Sequence, residues 1–260
     1  MEIVEPKVFL IAETKLDNEG LLEYLKDLNV LDYSWSAPSD SEALCEMMGR
    51  LCYRSFKPGL NPNVTKVRTG NDVYLKNIIN TGHGSVLEHA SVSFIFKDVS
   101  RVFTHELVRH RSGVAISQES LRFVRLDKLS AYVPIQIEEN EEAMSLFMDT
   151  FDKLEEVQKQ LADIYDIENT DDFARKKELT SAFRRVAPIG LATTIGWTCN
   201  MRALRHIIEL RTSPHAEIEL RVVFAKVFDI VKDKYPNIFG DYKVEMVDGI
   251  PWVHTTEEKI

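Results

Sequence analysis

Arg109-His110-Arg111-Ser112-Gly113-Val114-Ala115-Ile116-Ser117-Gln118-Glu119-Ser120-Leu121-Arg122 sets three arginines and a histidine among small hydroxyl residues within fourteen positions. Guanidinium forks grip phosphate oxygens in pairs, and serine hydroxyls with backbone N–H groups complete such a shell, so the stretch suits a phosphate or pyrophosphate cradle. Composition alone also allows an exposed basic strand and loop. The local pattern predicts a helix over residues 100–109, a loop containing Gly113, then a strand over residues 121–126.

Net charge points the other way at first. The 260 residues carry 32 Lys plus Arg against 41 Asp plus Glu, a balance of −9. Residues 138–172 hold thirteen acids against Lys153 and Lys159, a local −11, which leaves +2 for the rest of the chain. Phe147, Phe151, Leu154, Leu161 and Tyr165 recur there at helical spacing, predicting an amphipathic surface helix outside any site. The remainder is arginine-rich over residues 101–125 and again at Arg184, Arg185, Arg202, Arg205 and Arg211. Small anions suit it, whereas a DNA-binding module needs a more basic surface. Three cysteines, Cys45, Cys52 and Cys199, without metal-ligand spacing imply a reducing compartment and no metal. Acidic Glu2 and Glu5, and the lack of an apolar run of ~20 residues, add the expectation of a cytoplasmic protein.

No linker, repeat or low-complexity tract divides the chain, so a single domain over residues 1–260 with a helical excursion is expected. Residues 7–13 read as a short buried strand. Residues 41–53 read as a helix with Leu44, Met47, Met48 and Leu51 on one face after the caps Ser39 and Asp40. A helix over 72–80 stops at Gly82, and Val92, Phe94 and Phe96 alternate as in a strand. Residues 178–186 form a short helix ended by Pro188, residues 200–211 form another, and Ser213 with Pro214 opens a last one to about residue 232.

Two further segments could carry chemistry. Gly82-His83-Gly84-Ser85-Val86-Leu87-Glu88-His89 joins a helix to a strand through two glycines, which mark a turn or a close backbone approach to a ligand. In Asn200-Met201-Arg202-Ala203-Leu204-Arg205-His206-Ile207-Ile208-Glu209-Leu210-Arg211, the polar residues Arg202, His206 and Glu209 share one helical face, either solvated or ligand-facing. Other chemistries fit poorly. His105-Glu106 and His110 mimic a zinc-protease motif, but histidines five apart stand about 140° around a helix and cannot share a metal. The chain lacks a P-loop lysine, a GxGxxG after a strand and a GxSxG elbow.

Taken in this order, the three segments resemble the flavin-dependent thymidylate synthases, the ThyX family, over roughly residues 80–221. The resemblance implies an α+β fold with a central β-sheet flanked by helices, here with the acidic surface excursion. It also implies a cytoplasmic homotetramer with FAD where subunits meet, and reductive methylation of dUMP to dTMP using 5,10-methylenetetrahydrofolate and NADPH. On the same basis Ser85, Glu88, Arg109, His110, Arg111, Gln118, Asn200, Met201, Arg202 and His206 would contact FAD. Glu106, Leu107, Val108, Arg109, Gln118, Glu119, Ser120, Leu121, Arg122, Arg184 and Arg211 would line the nucleotide site. Arg122 and Arg184 would neutralise the phosphate, Arg211 would stabilise charge developing on the uracil, and Ser120 would position the pyrimidine.

Two departures from the family pattern stand out. Eight residues rather than seven separate Arg111 from Ser120, so a bulge is expected in 112–116, and Glu106 stands where a neutral Gln is expected. A carboxylate there could accept a hydrogen bond from a sugar hydroxyl, which brings in a ribonucleotide such as UMP as an alternative substrate. A non-catalytic nucleotide-binding oligomer is the alternative from outside the enzymes.

Overall fold

Alternation at Val92, Phe94 and Phe96 is repeated at Thr193, Ile195, Trp197 and Cys199, and both sets are buried. The two strands that carry them stand side by side in the computed structural model, which describes residues 1–121 and 128–257. The chain runs through strands β1 (Glu2–Ile3) and β2 (Lys7–Glu13), helices α1 (Asn18–Asp27), α2 (Asp40–Tyr53) and α3 (Asn71–Asn80), and a 3-10 turn at Gly84–Glu88. Strand β3 (Ser91–Ser100), helix α4 (Arg101–Leu107) and strands β4 (Val114–Gln118) and β5 (Ser130–Ala131) follow. Next come α5 (Ile135–Glu138), α6 (Glu141–Ile164), α7 (Phe173–Phe183), a 3-10 turn at Arg184–Val186, and β6 (Ala192–Asn200). The chain closes with α8 (Met201–Thr212), α9 (Ile218–Lys234), α10 (Pro236–Phe239) and the hairpin strands β7 (Lys243–Val247) and β8 (Ile250–His254). This is the expected α+β class, with a four-stranded sheet in the order β2-β3-β6-β4.

Several expectations change. Strand β2 is an edge, not a buried strand: Phe9 and Ile11 are 47% and 58% exposed. The anticipated bulge in 112–116 is a turn at Ser112 and Gly113 followed by the regular strand β4. Ser213 and Pro214 open a turn, closed by Ala216 N–H donating to the Ser213 carbonyl, rather than a helix. Helix α9 begins after Glu217, whose carboxylate accepts the Glu219 and Leu220 N–H groups at 2.9 and 3.2 Å. A negative charge at a helix N-terminus favours that start. The strand expected over 121–126 lies, beyond Leu121, outside the described residues.

Two compact units divide the chain. The first comprises Met1–Phe9, Ile95–His110 and Ile116–Trp197. Its aromatic centre sets Phe96 against Phe103 edge-on at 5.4 Å and against Trp197 at 5.8 Å. Helix α6 lays Phe151, with Phe147 and Leu154 beside it, on Leu129, Ala131 and Leu191, while its acids face outward except Glu155, which accepts the Leu129 N–H at 3.0 Å. The amphipathic surface helix is as expected.

The second unit comprises Leu10–Phe94, Arg111–Ala115 and Thr198–Ile260. There α2 presents a different face from the one expected: Leu51 is 46% exposed, while Glu42, Glu46 and Arg50 are at most 2% exposed. Burial of these charges is possible because each is bonded. Arg50 donates to Glu46 at 2.7 Å and to the carbonyls of Ser55 and Arg68 at 2.9 and 2.7 Å, and Tyr33 and Asn71 donate to Glu46 at 2.6 and 2.7 Å. Helix α8 is fixed in a similar way: buried Arg205 forks onto Asp241 with two bonds of 2.7 Å.

Candidate functional site

In the first unit the serine hydroxyl of Ser100 accepts the Phe103 N–H at 3.1 Å and starts α4, so that Arg101 and His105, four apart, share one face. Opposite them the end of β4 delivers Gln118, Glu119 and Ser120, and the 3-10 turn after α7 delivers Arg184 and Arg185. Together they enclose an open cleft of 710 Å³. The Gln118 amide donates to Thr104 Oγ1 at 3.1 Å. Arg101 donates to the Glu119 carbonyl at 3.3 Å, and its Nε is buried without a hydrogen-bond partner. Burial lowers the pKa of the Arg101 guanidinium, the nearby Arg184 charge lowers it further, and Glu119 opposes both. Two like charges brought this close make a site for an anion.

Of the residues expected around a nucleotide, Gln118, Glu119, Ser120, Leu121 and Arg184 line this cleft. Leu107 is fully buried, Glu106 is half-buried, and Val108 and Arg109 are exposed, and none of the four is among the cleft's lining residues. Arg122 lies outside the described residues. Arg101, His105 and Arg185 were not assigned to a site from sequence. The spacing of Arg101 and His105 on one helical face is the signal that could have found them.

In the second unit Asn200 ties together the segments expected around a flavin. Its Oδ1 accepts the Ala203 N–H at 2.8 Å and caps α8, while its backbone N–H donates to the Gly113 carbonyl at 2.9 Å. The next residue, Met201, donates its N–H to Ala90 at 2.9 Å, which ties the start of α8 to the segment Gly82–His89. Arg202 reaches Glu88 at 2.6 Å, and both side chains are 40% or more exposed. An exposed pair of this kind contributes only about 0–1 kcal/mol, so an incoming anion can exchange with Glu88 at small cost. Ser85, Arg111 and His206 are exposed, Arg211 is half-buried, and the Met201 side chain is fully buried, leaving only its backbone for a ligand. Arg109, His110 and Gln118 belong to the first unit. Tyr53, absent from the expected set, stacks on His83 with ring centroids 6.2 Å apart.

No helix among the described residues is long and apolar enough to cross a membrane, and none of their His, Cys, Asp and Glu side chains cluster as a metal site. The family model of the thymidylate synthase complementing proteins matches residues 29–237. A flavin-dependent thymidylate synthase of Mycobacteroides abscessus is 36% identical over 259 aligned residues, 95% of this chain and 94% of that one. One from Corynebacterium diphtheriae is 36% identical over 82% of this chain and 84% of its own. Among solved structures, the thymidylate synthase ThyX of Helicobacter pylori with FAD and dUMP aligns at a TM-score of 0.59 and 19% identity, covering 91% of this chain and 98% of that one. The UMP/dUMP methylase PolB of Streptomyces cacaoi bound with 5-Br UMP aligns at 0.65 and 15% identity, covering 92% and 94%. Those two share the fold. The family model over residues 29–237, together with identity above a third over most of the chain's length, makes this chain an enzyme that belongs to the flavin-dependent thymidylate synthases.

Proposed function

We propose that the protein converts dUMP to dTMP by reductive methylation, with FAD bound, 5,10-methylenetetrahydrofolate as carbon donor and NADPH as reductant. The observation that carries this reading is the guanidinium pair Arg101 and Arg184 in a cleft with Gln118 and Ser120. A nucleoside monophosphate is a dianion that such forks grip in pairs, with Arg122 completing the set in this reading. The Ser120 hydroxyl would orient the pyrimidine, and Arg211 would stabilise negative charge on its O2 and N3 as C6 is attacked. Glu106 to Arg109 and Glu119 to Leu121 would line the nucleotide.

The donors of the second unit fit a dinucleotide. Ser85, Arg111 and His206 offer exposed hydroxyl, guanidinium and imidazole groups, and Arg202 is held by an exposed pair. These residues, with Glu88, Arg109, His110, Gln118, Asn200 and the Met201 backbone, would hold FAD. When bound, FAD supplies the redox chemistry of the reaction. In this reading the chain is one catalytic domain and works as a cytoplasmic homotetramer. The decisive experiment measures flavin absorbance on purification and tritium release from [5-³H]dUMP with reductant and folate. A colourless protein that takes up no FAD, or a flavoprotein that releases no tritium, overturns it. Substituting UMP in the same assay separates the ribonucleotide reading.

A further inference from the structure

Strand β4 ends at Gln118, yet the next residue still bonds to β6. Glu119 N–H donates to the Thr194 carbonyl at 3.0 Å, and the Glu119 carboxylate accepts the Thr194 N–H at 3.0 Å. The side chain supplies the acceptor that the finished strand no longer provides. The Glu119 carbonyl meanwhile takes the Arg101 guanidinium at 3.3 Å. Arg101 is held at its other end by its N–H on the Leu191 carbonyl at 3.1 Å. Glu119 therefore ties two walls of the cleft, the end of β4 with Gln118 and Ser120 on either side and the first residue of α4, to the start of β6. It is also the one carboxylate among the residues lining this cleft, which include Arg101, His105, Arg184 and Arg185.

We propose that Glu119 is a positioning residue that both shapes this cleft and limits its affinity for a phosphate monoester, so that bound nucleotide can leave. The proposal deepens the nucleotide reading above and rests on it for the identity of the ligand. Glu119 has no substrate atom to bind through its carboxylate while that group is committed to Thr194. Its charge acts through Arg101. Between the empty and filled states the two guanidiniums exchange partial neutralisation by one carboxylate for full neutralisation by a phosphate dianion, and removing the carboxylate favours the filled state. Shape and charge can be separated because a glutamine keeps an oxygen for the Thr194 N–H and loses only the charge, whereas alanine loses both.

The test measures binding of inorganic phosphate and of dUMP to the FAD-loaded full-length protein by calorimetry, together with KM and kcat, in wild type, Glu119→Gln and Glu119→Ala. Glu119→Gln should tighten phosphate and dUMP about five-fold at about 50 mM salt, an advantage that fades at about 500 mM as screening sets in. Its KM should fall with little gain, or a loss, in kcat. Glu119→Ala should weaken both ligands about ten-fold, because the end of β4 and Arg101 lose their anchor. Glu119→Gln indistinguishable from wild type at both salts overturns the charge role, and Glu119→Ala matching Glu119→Gln overturns the positioning role. Phosphate responding as expected while dUMP does not bind would defeat the nucleotide reading and leave Glu119 in its role. A wild-type protein that binds neither ligand overturns both.

Discussion

Asn200 and Gly113 are latched together: the Asn200 N–H donates to the Gly113 carbonyl at 2.9 Å, and a methyl group on Gly113 would overlap the Asn200 side-chain amide. Gly113 also has φ +69°, a conformation that favours glycine. The same Asn200 side chain caps α8 through the Ala203 N–H. One residue thus fixes both the turn beside Arg111 and the start of the helix that carries Arg202 and His206.

The Gly113→Ala variant should lose about 1–3 kcal/mol, from left-handed strain and the overlap together. Asn200→Ala should lose about 1 kcal/mol as a removed cap. Because the second change also removes the overlapped amide, the double variant should be less destabilised than the two losses combined. Chemical denaturation of the four proteins measures the coupling, and simple additivity would refute the latch.

Arg101 and Arg184 should act together on the nucleotide. Charge-assisted hydrogen bonds contribute about 1.5–3 kcal/mol each, so either alanine variant should weaken dUMP binding about 10–100-fold. The two differ in stability. Arg184 is exposed and its loss should leave the melting temperature near wild type, whereas Arg101 loses its bond to Glu119 as well. Calorimetric titration beside thermal melts separates these outcomes, and unchanged affinity in Arg184→Ala would remove it from the phosphate site.

Periodicity made some of this legible and hid the rest. The strand through Val92, Phe94 and Phe96, the helix α6 and the helix α8 follow from local pattern, because each buries a face its own spacing defines. Helix α2 misleads, since its buried face holds Glu42, Glu46 and Arg50, whose partners include Tyr33, Arg68, Asn71 and Asn237, distant in sequence. A buried charge is tolerated only with such partners, and spacing alone does not reveal them. The closing hairpin was within reach: Asp248-Gly249, with φ of 54° and 74°, is the turn pair that most strongly signals one. The pairing of Arg101 with Arg184 stayed hidden because only the fold brings the two near.

Stability should depend on acid through the pair that anchors α8 to the chain's end. Asp241 is half-buried, which opposes ionisation. The Arg205 guanidinium and the Thr255 hydroxyl, bonded at 2.7 Å each, nevertheless hold its carboxyl below the usual range. A carboxyl depressed in the folded state stabilises above its unfolded pKa of about 3.9, and that contribution disappears as pH falls through the folded value. Asp241→Asn leaves the fully buried Arg205 charge without its partner, which at pH 7 should cost about 3–5 kcal/mol. Below that unfolded value the stabilisation by the charge shrinks in wild type, so the two stability curves should draw together as pH falls. Urea denaturation from about pH 7 down to about pH 3 tests this, and a gap that stays constant across the range would show that the Asp241 charge is not what holds Arg205.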